Sequence, residues 1–248
     1  HKEYRRQRQM CIRDRTWLDD VEVSAGTLIL IRDLTELRDR DRQLVTKDAT
    51  IREIHHRVKN NLQTVAALLR LQSRRMSNSD AKDALKQAMG RVSAIAVVHE
   101  ILSQNFEEQV AFDEVADRIL HMVGDVAASS GSVVARREGS FGEVPAETAT
   151  ALSLATTELC QNAIEHSLDS SSGNVIVRPH RTDDALVVDI VSDGKPLPEG
   201  FSLDNHRSSL GLSIVTTLMQ DLGGTFTLED NSDRVGTCAR LVIPLQRL

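Results

Sequence analysis

Three stretches of the sequence carry side chains whose types and spacing can do chemistry. The first holds two adjacent histidines, His55 and His56, in the run HHRVKNNLQ at residues 55–63. A neutral imidazole is a competent nitrogen nucleophile, and imidazole is largely neutral at the pH of the cytosol. Adjacent helical residues do not face each other, which makes the pair a poor zinc site. The alternative interpretation is a pair of surface or helix-cap histidines.

The second stretch is ELCQNAIEHS at residues 158–167. Glu158, Asn162 and the pair Glu165 and His166 follow one another at spacings of three or four, so they share one face of a helix. A carboxylate one turn from an amide can orient a metal ion or water beside a triphosphate. Mg²⁺ suits such a site because it takes few protein ligands and keeps its waters and phosphates. The alternative is the polar outer face of an amphipathic helix.

The third stretch is a series of glycine-containing segments, VSDGKPLPEG at 191–200, SSLGLSIV at 208–215 and RVGTCARLVIPL at 234–245. Gly211 precedes a helix expected to begin near Leu212. Helix N-termini with flanking glycines present free N–H groups to phosphate, although each segment alone is compatible with an ordinary loop or cap. The sequence has no GxxxxGK[ST] phosphate loop, which argues against the common phosphate-loop ATPases.

Two long helices are predicted to position the histidines. Helical periodicity runs to Met76 and resumes over residues 80–104, with a turn cluster between them. The seam of the first helix has Ile51, Val58 and Val65 at heptad position a, and Ile54 and Leu68 at position d. His55 then flanks the seam and His56 faces water. A hairpin of this length cannot bury both apolar faces, and no further helix of matching length remains, so we expect a dimeric four-helix bundle.

The rest of the chain alternates differently. Helices are predicted over 113–128, 146–167 and 211–224, and strands over 174–180, 185–192, 225–230 and 237–245. Helices first and strands after them favour an α/β sandwich over a doubly wound sheet. At the other end, residues 1–15 are predicted to be a non-native or disordered tail. Residues 16–35 resemble the C-terminal end of a PAS sensor domain.

Composition excludes several classes of protein. The chain has 248 residues, and its 30 basic and 36 acidic residues give a net charge of -6, which argues against direct nucleic-acid binding. Three scattered cysteines (Cys11, Cys160, Cys238) do not form a disulfide framework or a zinc site and fit a reducing, cytoplasmic environment. No apolar run approaches the roughly 18 residues of a membrane span. A first residue His1 rather than Met leads us to expect a fragment.

Taken together, these segments resemble the two-component sensor histidine kinases. HHRVKNNLQ resembles the phosphoacceptor box of the HWE-related subfamily and ELCQNAIEH the N box of a GHKL-type ATPase domain, while VSDGKPLP, SLGLSIV and VGT resemble its three glycine boxes. The segment EIHHRVKNNLQTVAALLRLQ is similar to actinobacterial kinases paired with RNA-binding antiterminator regulators. The implied fold class is α+β: a helical-hairpin dimerisation and phosphotransfer domain at 36–108, followed by a GHKL-type α/β sandwich ATPase domain at 109–248.

The resemblance implies a homodimeric kinase that uses ATP and Mg²⁺ to phosphorylate His56. The phosphoryl group would then pass to an aspartate of a response regulator receiver domain. Asn162 would hold Mg²⁺, Glu158 would polarise or position the reacting groups, and Asp193 would accept a hydrogen bond from the adenine amino group. The implied nucleotide-binding residues are Asn162, His166, Asp193, Gly194, Gly211, Leu212 and Thr237.

The sequence departs from the family pattern at two places. The family usually writes its first glycine box as Asp-x-Gly-x-Gly, but Ser192 stands where the aspartate is expected and Pro196 replaces the second glycine. Either Asp193 serves with a shift of one residue, or adenine binding is altered. Arg57 replaces the acid that often follows the phosphoacceptor, so the general base is open between Glu158, His55 and no protein base.

Two other functions compete with the kinase. A dimeric signalling scaffold that binds nucleotide without kinase activity is favoured by the altered first glycine box. An ATPase that forms no phosphohistidine is disfavoured by the HHRVKNN run.

Overall fold

The computed structural model describes residues 35–104, 109–128, 132–168, 172–203, 210–231 and 235–245. Side chains are described from residue 50 onward, apart from residues 104, 126–128 and 132. The chain divides into two compact units, residues 1–51 and residues 52–248. The predicted tail and PAS-like strands of residues 1–34 lie outside the described residues.

A helical hairpin begins the described chain, as the periodicity predicted. Helix α1 spans Thr35–Arg75 and helix α2 spans Ser79–Gln104. Asn78 caps the second helix, since its Oδ1 accepts a hydrogen bond from the Asp80 backbone N–H at 2.8 Å. None of the helices within the described ranges combines the length and apolar character that a membrane span requires.

The outer face of α1 carries an apolar stripe, defined by Ile54, Val65, Leu68 and Leu71. These four side chains are 52%, 43%, 56% and 52% exposed. Three of the four (Ile54, Val65 and Leu68) lie at heptad positions a or d, where the heptad pattern predicted a seam, and Leu71 lies beside them. The stripe is therefore an uncovered apolar surface on the helix that carries the two histidines.

The second half of the chain is a sheet covered by helices, which confirms the predicted α/β sandwich. Its elements are β1 (Gln109–Ala111), α3 (Phe112–Ala128), β2 (Ser132–Arg137), β3 (Glu143–Pro145), α4 (Ala146–Asn162), β4 (Ser172–Arg181), β5 (Ala185–Ser192), α5 (Leu210–Asp221), β6 (Thr225–Asp230) and β7 (Thr237–Pro244). The main sheet has the order β2-β4-β5-β7-β6. Only the β2–β4 pair is parallel among its four pairings. The short strands β1 and β3 form a separate antiparallel pair, and the sequence pattern did not reveal β1, β2 or β3.

The core lies between this sheet and the helices. Along β5, Leu186, Val188 and Ile190 are buried while the residues between them are only partly covered. This alternation follows from the strand period of two, and Ala239, Leu241 and Ile243 repeat it on β7. Ser192 continues the inward row at the end of β5, so Asp193 comes next on the opposite face.

Helix α4 is the central helix of this layer. It packs against α2, α3 and α5, and ten of its residues are buried. Gly90 on α2 faces the movable end of the Gln161 side chain on α4, since a Cβ there would lie 2.7 Å from Nε2 of Gln161. The hairpin is therefore docked on the helix that carries Glu158 and Asn162.

The α-helical turns of α4 end at Asn162, earlier than the predicted helix 146–167. Residues Ala163–Ser167 form a π-helical turn, and the Leu168 N–H donates to the Ala163 carbonyl at 2.9 Å. Wide turns of this kind are often found at functional sites. The Ser167 carbonyl then accepts a hydrogen bond from the Lys195 N–H at 2.8 Å. This bond ties the end of the helix to the loop after β5.

That tie explains why residue 194 is glycine, and it gives a test of the packing. A Cβ at Gly194 would lie 2.2 Å from the Ser167 carbonyl oxygen, a backbone atom that cannot turn away. We expect Gly194→Ala to lower the free energy of unfolding by about 2 kcal/mol or more, as overpacked sites do. Gly124→Ala is the matched control, since a Cβ there meets nothing within 4 Å. A helical Gly→Ala change of that kind raises stability by up to about 1 kcal/mol. Urea denaturation measures both, and equal effects would contradict the packing described.

Candidate active site

The two histidines of α1 have different surroundings. His56 is exposed, whereas His55 is partly buried and its Nδ1 lies 2.9 Å from Nδ1 of His99 on α2. Burial, and secondarily the charge of His56, lowers the pKa of His55. Burial and then the charge of His55 lower the pKa of His99. Both rings of the pair are thereby favoured in the neutral form, so one donates and the other accepts. The exposure agrees with the heptad expectation that His56 faces water.

A charged cluster lies beside the exposed histidine, and the sequence reading missed it. The carboxylate of Glu100 on α2 forms two ion pairs. Its Oε1 lies 2.8 Å from Lys59 Nζ, and its Oε2 lies 3.3 Å from Arg118 Nη1. The hydrogen bond from Lys59 is the main reason why the pKa of Glu100 is lowered, and the charges of Lys59, Arg118 and His56 act in the same direction. An ionised carboxylate of α2 is therefore ion-paired to Lys59, which lies on the same helix as His56. Its two partners come from α1 and α3, which a linear spacing does not reveal.

Glu158 is held by the hairpin. Its carboxylate forms a two-point ion pair with Arg91 of α2, with Nε–Oε1 at 2.7 Å and Nη2–Oε2 at 2.9 Å. The Glu158 and Arg91 side chains are 3% and 17% exposed, respectively. The hydrogen bond to Glu158 raises the pKa of Arg91. Glu158 therefore faces α2 in this arrangement. It is not among the described residues that line the cavity at the C-terminal end of α4.

A cavity of about 470 Å³ opens beside the C-terminal end of α4. This is the volume range of small-molecule sites. Its walls include Leu159, Ala163, Ile190, Phe201, Leu228 and Ala239. Four of the residues implied by the family resemblance line it together, namely Asn162, His166, Leu212 and Thr237. The structure thus brings together residues that are up to 75 positions apart in the sequence.

The two glycines of the implied set contribute through their backbones. Gly194 lets the loop after β5 reach the Ser167 backbone, as described above. Gly211 begins α5, and a Cβ there would lie 2.7 Å from Oε2 of Glu158 and 3.6 Å from Nδ2 of Asn162. Its missing side chain therefore lets the N-terminal end of α5 approach the polar face of α4.

Asp193 is not placed where a shifted glycine box would need it. Its carboxylate accepts hydrogen bonds from the Asn174 backbone N–H at 2.7 Å and from Asn174 Nδ2 at 2.6 Å. The residue is exposed and does not line the cavity as described. The reason is the strand period: a shift of one residue turns a side chain to the other face of the sheet. The suggested role of Asp193 in adenine binding is therefore not supported by this geometry.

Ser192 takes the inward position instead and belongs to a cluster of three hydroxyl groups. Its Oγ lies 2.7 Å from Ser167 Oγ and 2.9 Å from Thr237 Oγ1. The outer two hydroxyls line the cavity, and Ser192 lies fully buried behind them. The floor of the cavity is thus neutral and polar. The sequence signal for this was the unexpected serine in the first glycine box.

Asn162 fits the implied magnesium ion. Its amide lines the cavity, and its buried Nδ2 has no hydrogen-bond partner among the described residues. An amide that the protein does not hold can turn its oxygen toward a cation. No cluster of three or more His, Cys, Asp or Glu ligands is found in the described part of the chain. A single amide oxygen suits Mg²⁺, which fills its other positions with water and phosphate.

Two family models match the chain. The model described as "Histidine kinase" matches residues 53–127, and the model of the histidine kinase-, DNA gyrase B- and HSP90-like ATPases matches residues 147–247. Together they cover both histidines of α1, helix α4 from its second residue, and all the described residues that line the cavity.

Curated relatives and a solved structure agree with this. The sensor histidine kinase PdtaS of Mycobacterium tuberculosis is 50% identical over 227 residues, which is 90% of this chain and 45% of the relative. PdtaS of Mycolicibacterium smegmatis is 48% identical over the same shares. The histidine kinase domain of an Erythrobacter litoralis blue-light-activated histidine kinase superposes with a TM-score of 0.57 at 26% identity, covering 84% of this chain and 94% of that one. The chain spans less than half the length of the curated PdtaS relatives.

The exposed histidine of α1 lies within the range of the first family model, and the residues that line the cavity beside α4 lie within the range of the second. The chain belongs to the sensor histidine kinase family, with a histidine-bearing helical hairpin followed by a GHKL-type ATPase domain.

Proposed function

We propose that this chain is the kinase core of a homodimeric sensor histidine kinase, which transfers the γ-phosphoryl group of ATP to His56. The observation that carries the proposal is the presence of an exposed histidine and a nucleotide-sized cavity within one compact unit. His56 lies on a helix of the hairpin, and the hairpin packs on the helix whose end lines the cavity. Residues 36–108 act as the dimerisation and phosphotransfer domain and residues 109–248 as the ATP-binding domain.

The transfer forms one bond and breaks one. A nitrogen of the neutral His56 ring attacks the γ-phosphorus, the bond from that phosphorus to the β–γ bridging oxygen breaks, and ADP leaves with the electron pair. Such reactions need positioning and charge neutralisation more than covalent help from the protein. Asn162 would hold Mg²⁺, which supplies neutralising charge at the phosphates when bound. The N-terminal end of α5 offers backbone N–H groups to the same phosphates.

Two candidates for the general base, His55 and Glu158, have hydrogen-bond partners in this structure. The Nδ1 of His55 faces His99, and both oxygens of Glu158 are bonded to Arg91. These contacts leave Nε2 of His55 and further lone pairs of Glu158 available. Glu100 is held in place by its own ion pairs with Lys59 and Arg118. The general base therefore stays open between Glu158, His55 and no protein base.

The partner that receives the phosphoryl group would be an aspartate of a response regulator receiver domain. An exposed His56 on one face of the hairpin allows a second protein to reach the phosphorylated ring. The competing function is a nucleotide-binding signalling scaffold without kinase activity, and it differs in one observable: it forms no acid-labile phosphoprotein. The next measurement separates the two.

Replacing His56 by Gln should abolish labelling when the chain is incubated with γ-labelled ATP and Mg²⁺. The ring nitrogen is the nucleophile, so no other side chain on this face can take its place. His55→Gln is the matched control. It should keep the label but lower the free energy of unfolding by about 1 kcal/mol, because it removes the contact with His99. Acid-labile label retained by the His56 variant and lost by the His55 variant would contradict the assignment.

The apolar stripe on α1 should make the chain a dimer at micromolar concentration. A surface of this kind on a lone hairpin marks an interaction site. Light scattering of the parent should give twice the mass of one chain, and Leu68→Glu should shift it toward the monomer. Val134→Glu is the matched control, since Val134 is also an exposed apolar residue at 49% but lies on β2. A monomeric parent would contradict the dimer. So would an equal change of mass in the Leu68→Glu and Val134→Glu variants.

Asn162→Ala should keep the fold but lower the initial phosphorylation rate at saturating Mg-ATP by about a hundredfold or more. The loss follows from misplacing the phosphates, since an error of about 1 Å in position has an effect of that size. Asn162→Asp, which keeps an oxygen at the same reach, should retain more activity than the alanine variant. A purely surface residue would change stability by less than about 0.5 kcal/mol and the rate hardly at all. An alanine variant within twofold of the parent would remove Asn162 from the site.

A further inference from the structure

The floor of the cavity would read the edge of a bound base with hydroxyl groups. Ser167 and Thr237 line the floor and are 6% and 9% exposed, and Ser192 behind them is fully buried. The other polar residues that line the described cavity are Asn162, His166 and Lys195, and all three are more exposed than these hydroxyls. The buried end of the cavity therefore offers the hydroxyl cluster rather than a charged group.

The lining of the cavity favours one orientation of a bound nucleotide. This inference rests on the function proposed above. Ile190 and Ala239 flank the hydroxyl cluster from β5 and β7, so the buried end is apolar on its sides. A flat purine base suits such walls with polar groups at one edge. Asn162 also lines the cavity and lies beside the N-terminal end of α5, and these two features suit the phosphates. With the phosphates there, the edge of the base would lie at Ser167 and Thr237.

The hydroxyl cluster can reverse its hydrogen bonds. In one direction Thr237 donates to Ser192, Ser192 donates to Ser167, and Ser167 donates to the Lys195 carbonyl at 3.1 Å. Thr237 then turns a lone pair toward the cavity and can accept from an amino group. In the other direction Ser167 donates to Ser192, Ser192 donates to Thr237, and Thr237 turns its proton toward the cavity. This direction gives up the bond from Ser167 to the Lys195 carbonyl, so the two directions differ by one hydrogen bond. The two hydroxyl–hydroxyl bonds, at 2.7 and 2.9 Å, permit either direction.

We propose that this site accepts both 6-amino and 6-keto purine nucleoside triphosphates with similar affinity, and that Ser192 is the residue that removes the discrimination. An ionised carboxylate at the inward position can only accept hydrogen bonds, so it would favour an amino group and repel a keto oxygen. A hydroxyl that can rotate is able to accept a hydrogen bond from an amino group or donate one to a keto oxygen. Sites built around one obligatory hydrogen bond reject analogues that lack it by large factors, and this floor has no such obligation.

The direct test uses the parent chain and two nucleotides that differ at the 6-position. Titration with the Mg²⁺ complexes of ATP and inosine triphosphate should give dissociation constants within about tenfold of each other, which is about 1.4 kcal/mol. Tight ATP binding with inosine triphosphate more than a hundredfold weaker would overturn the proposal and leave the kinase function standing. Failure of both nucleotides to bind at millimolar concentration would sink the two together.

Variants test the residue. Ser192→Asp should widen the preference for ATP to about a hundredfold or more, because it installs an obligatory acceptor. Since a carboxylate at a fully buried position can prevent folding, Thr237→Val provides a second test. It removes the hydroxyl that faces the cavity and should weaken both nucleotides by a similar factor. Weakening of ATP alone would show that the hydroxyl acts only as an acceptor and would overturn the proposal.

The neighbouring carboxylate supplies the matched comparison. Asp193→Asn changes an acid one position along the chain, but its side chain is bonded to Asn174 on the far side of the strand. The ratio of the two dissociation constants should stay within about twofold of the parent ratio, the range expected for a change away from the base. A variant that loses its affinity for ATP but not for inosine triphosphate would mean that Asp193 reads the base, and would overturn the role of Ser192.

Discussion

The buried ion pair between Arg91 and Glu158 is the contact on which the arrangement of the active site depends. It joins α2 of the hairpin to α4 of the ATPase domain, with both carboxylate oxygens bonded. Removing one partner of such a pair leaves an uncompensated buried charge and costs about 3–5 kcal/mol. The start of α5 meets the same carboxylate, because Gly211 leaves room for Oε2 of Glu158. Three elements thus converge on one side chain, and the end of the histidine-bearing hairpin is fixed relative to the nucleotide cavity.

This contact also limits what the arrangement can do. A carboxylate that Arg91 holds at two points faces α2, and only its remaining lone pairs can accept further hydrogen bonds. Any equilibrium between two packings of α2 on α4 would change which groups this carboxylate can reach. A ligand or signal shifts such an equilibrium only by as much as it binds one state better than the other. The hairpin is well placed for this, since α2 packs on α4 with Gly90 beside Gln161 and Arg91 bonded to Glu158.

Much of this architecture can be predicted from the sequence, and there are physical reasons why the remaining features cannot. Helical and strand periods located the hairpin, the sandwich and the outward face of His56, because burial imposes those periods directly. The strands β1 and β3 were missed because three residues carry too little pattern, and β2 was missed because its sequence SVVARR does not alternate between apolar and polar residues. The partners of Glu100 and Glu158 escaped because Lys59 and Arg91 lie 41 and 67 residues away along the chain. Ion pairs at such distances are set by the packing of helices, which a linear spacing does not contain.

The assignment of Asp193 shows that one local rule outweighs a matching residue type. An aspartate next to the expected position looks like a small shift, yet the alternation along β5 is fixed by Leu186, Val188 and Ile190, all buried. Moving the register by one would expose these three side chains and bury their neighbours, at a cost far above that of losing one polar contact. The inward place therefore belongs to Ser192, whatever residue follows it. A serine there is also easier to bury than a carboxylate, because Ser167 and Thr237 satisfy its hydroxyl without leaving a charge to desolvate. The serine that avoids an isolated buried charge also makes the floor of the cavity neutral. One position on the strand therefore affects both the folding of this region and the base recognition that we propose.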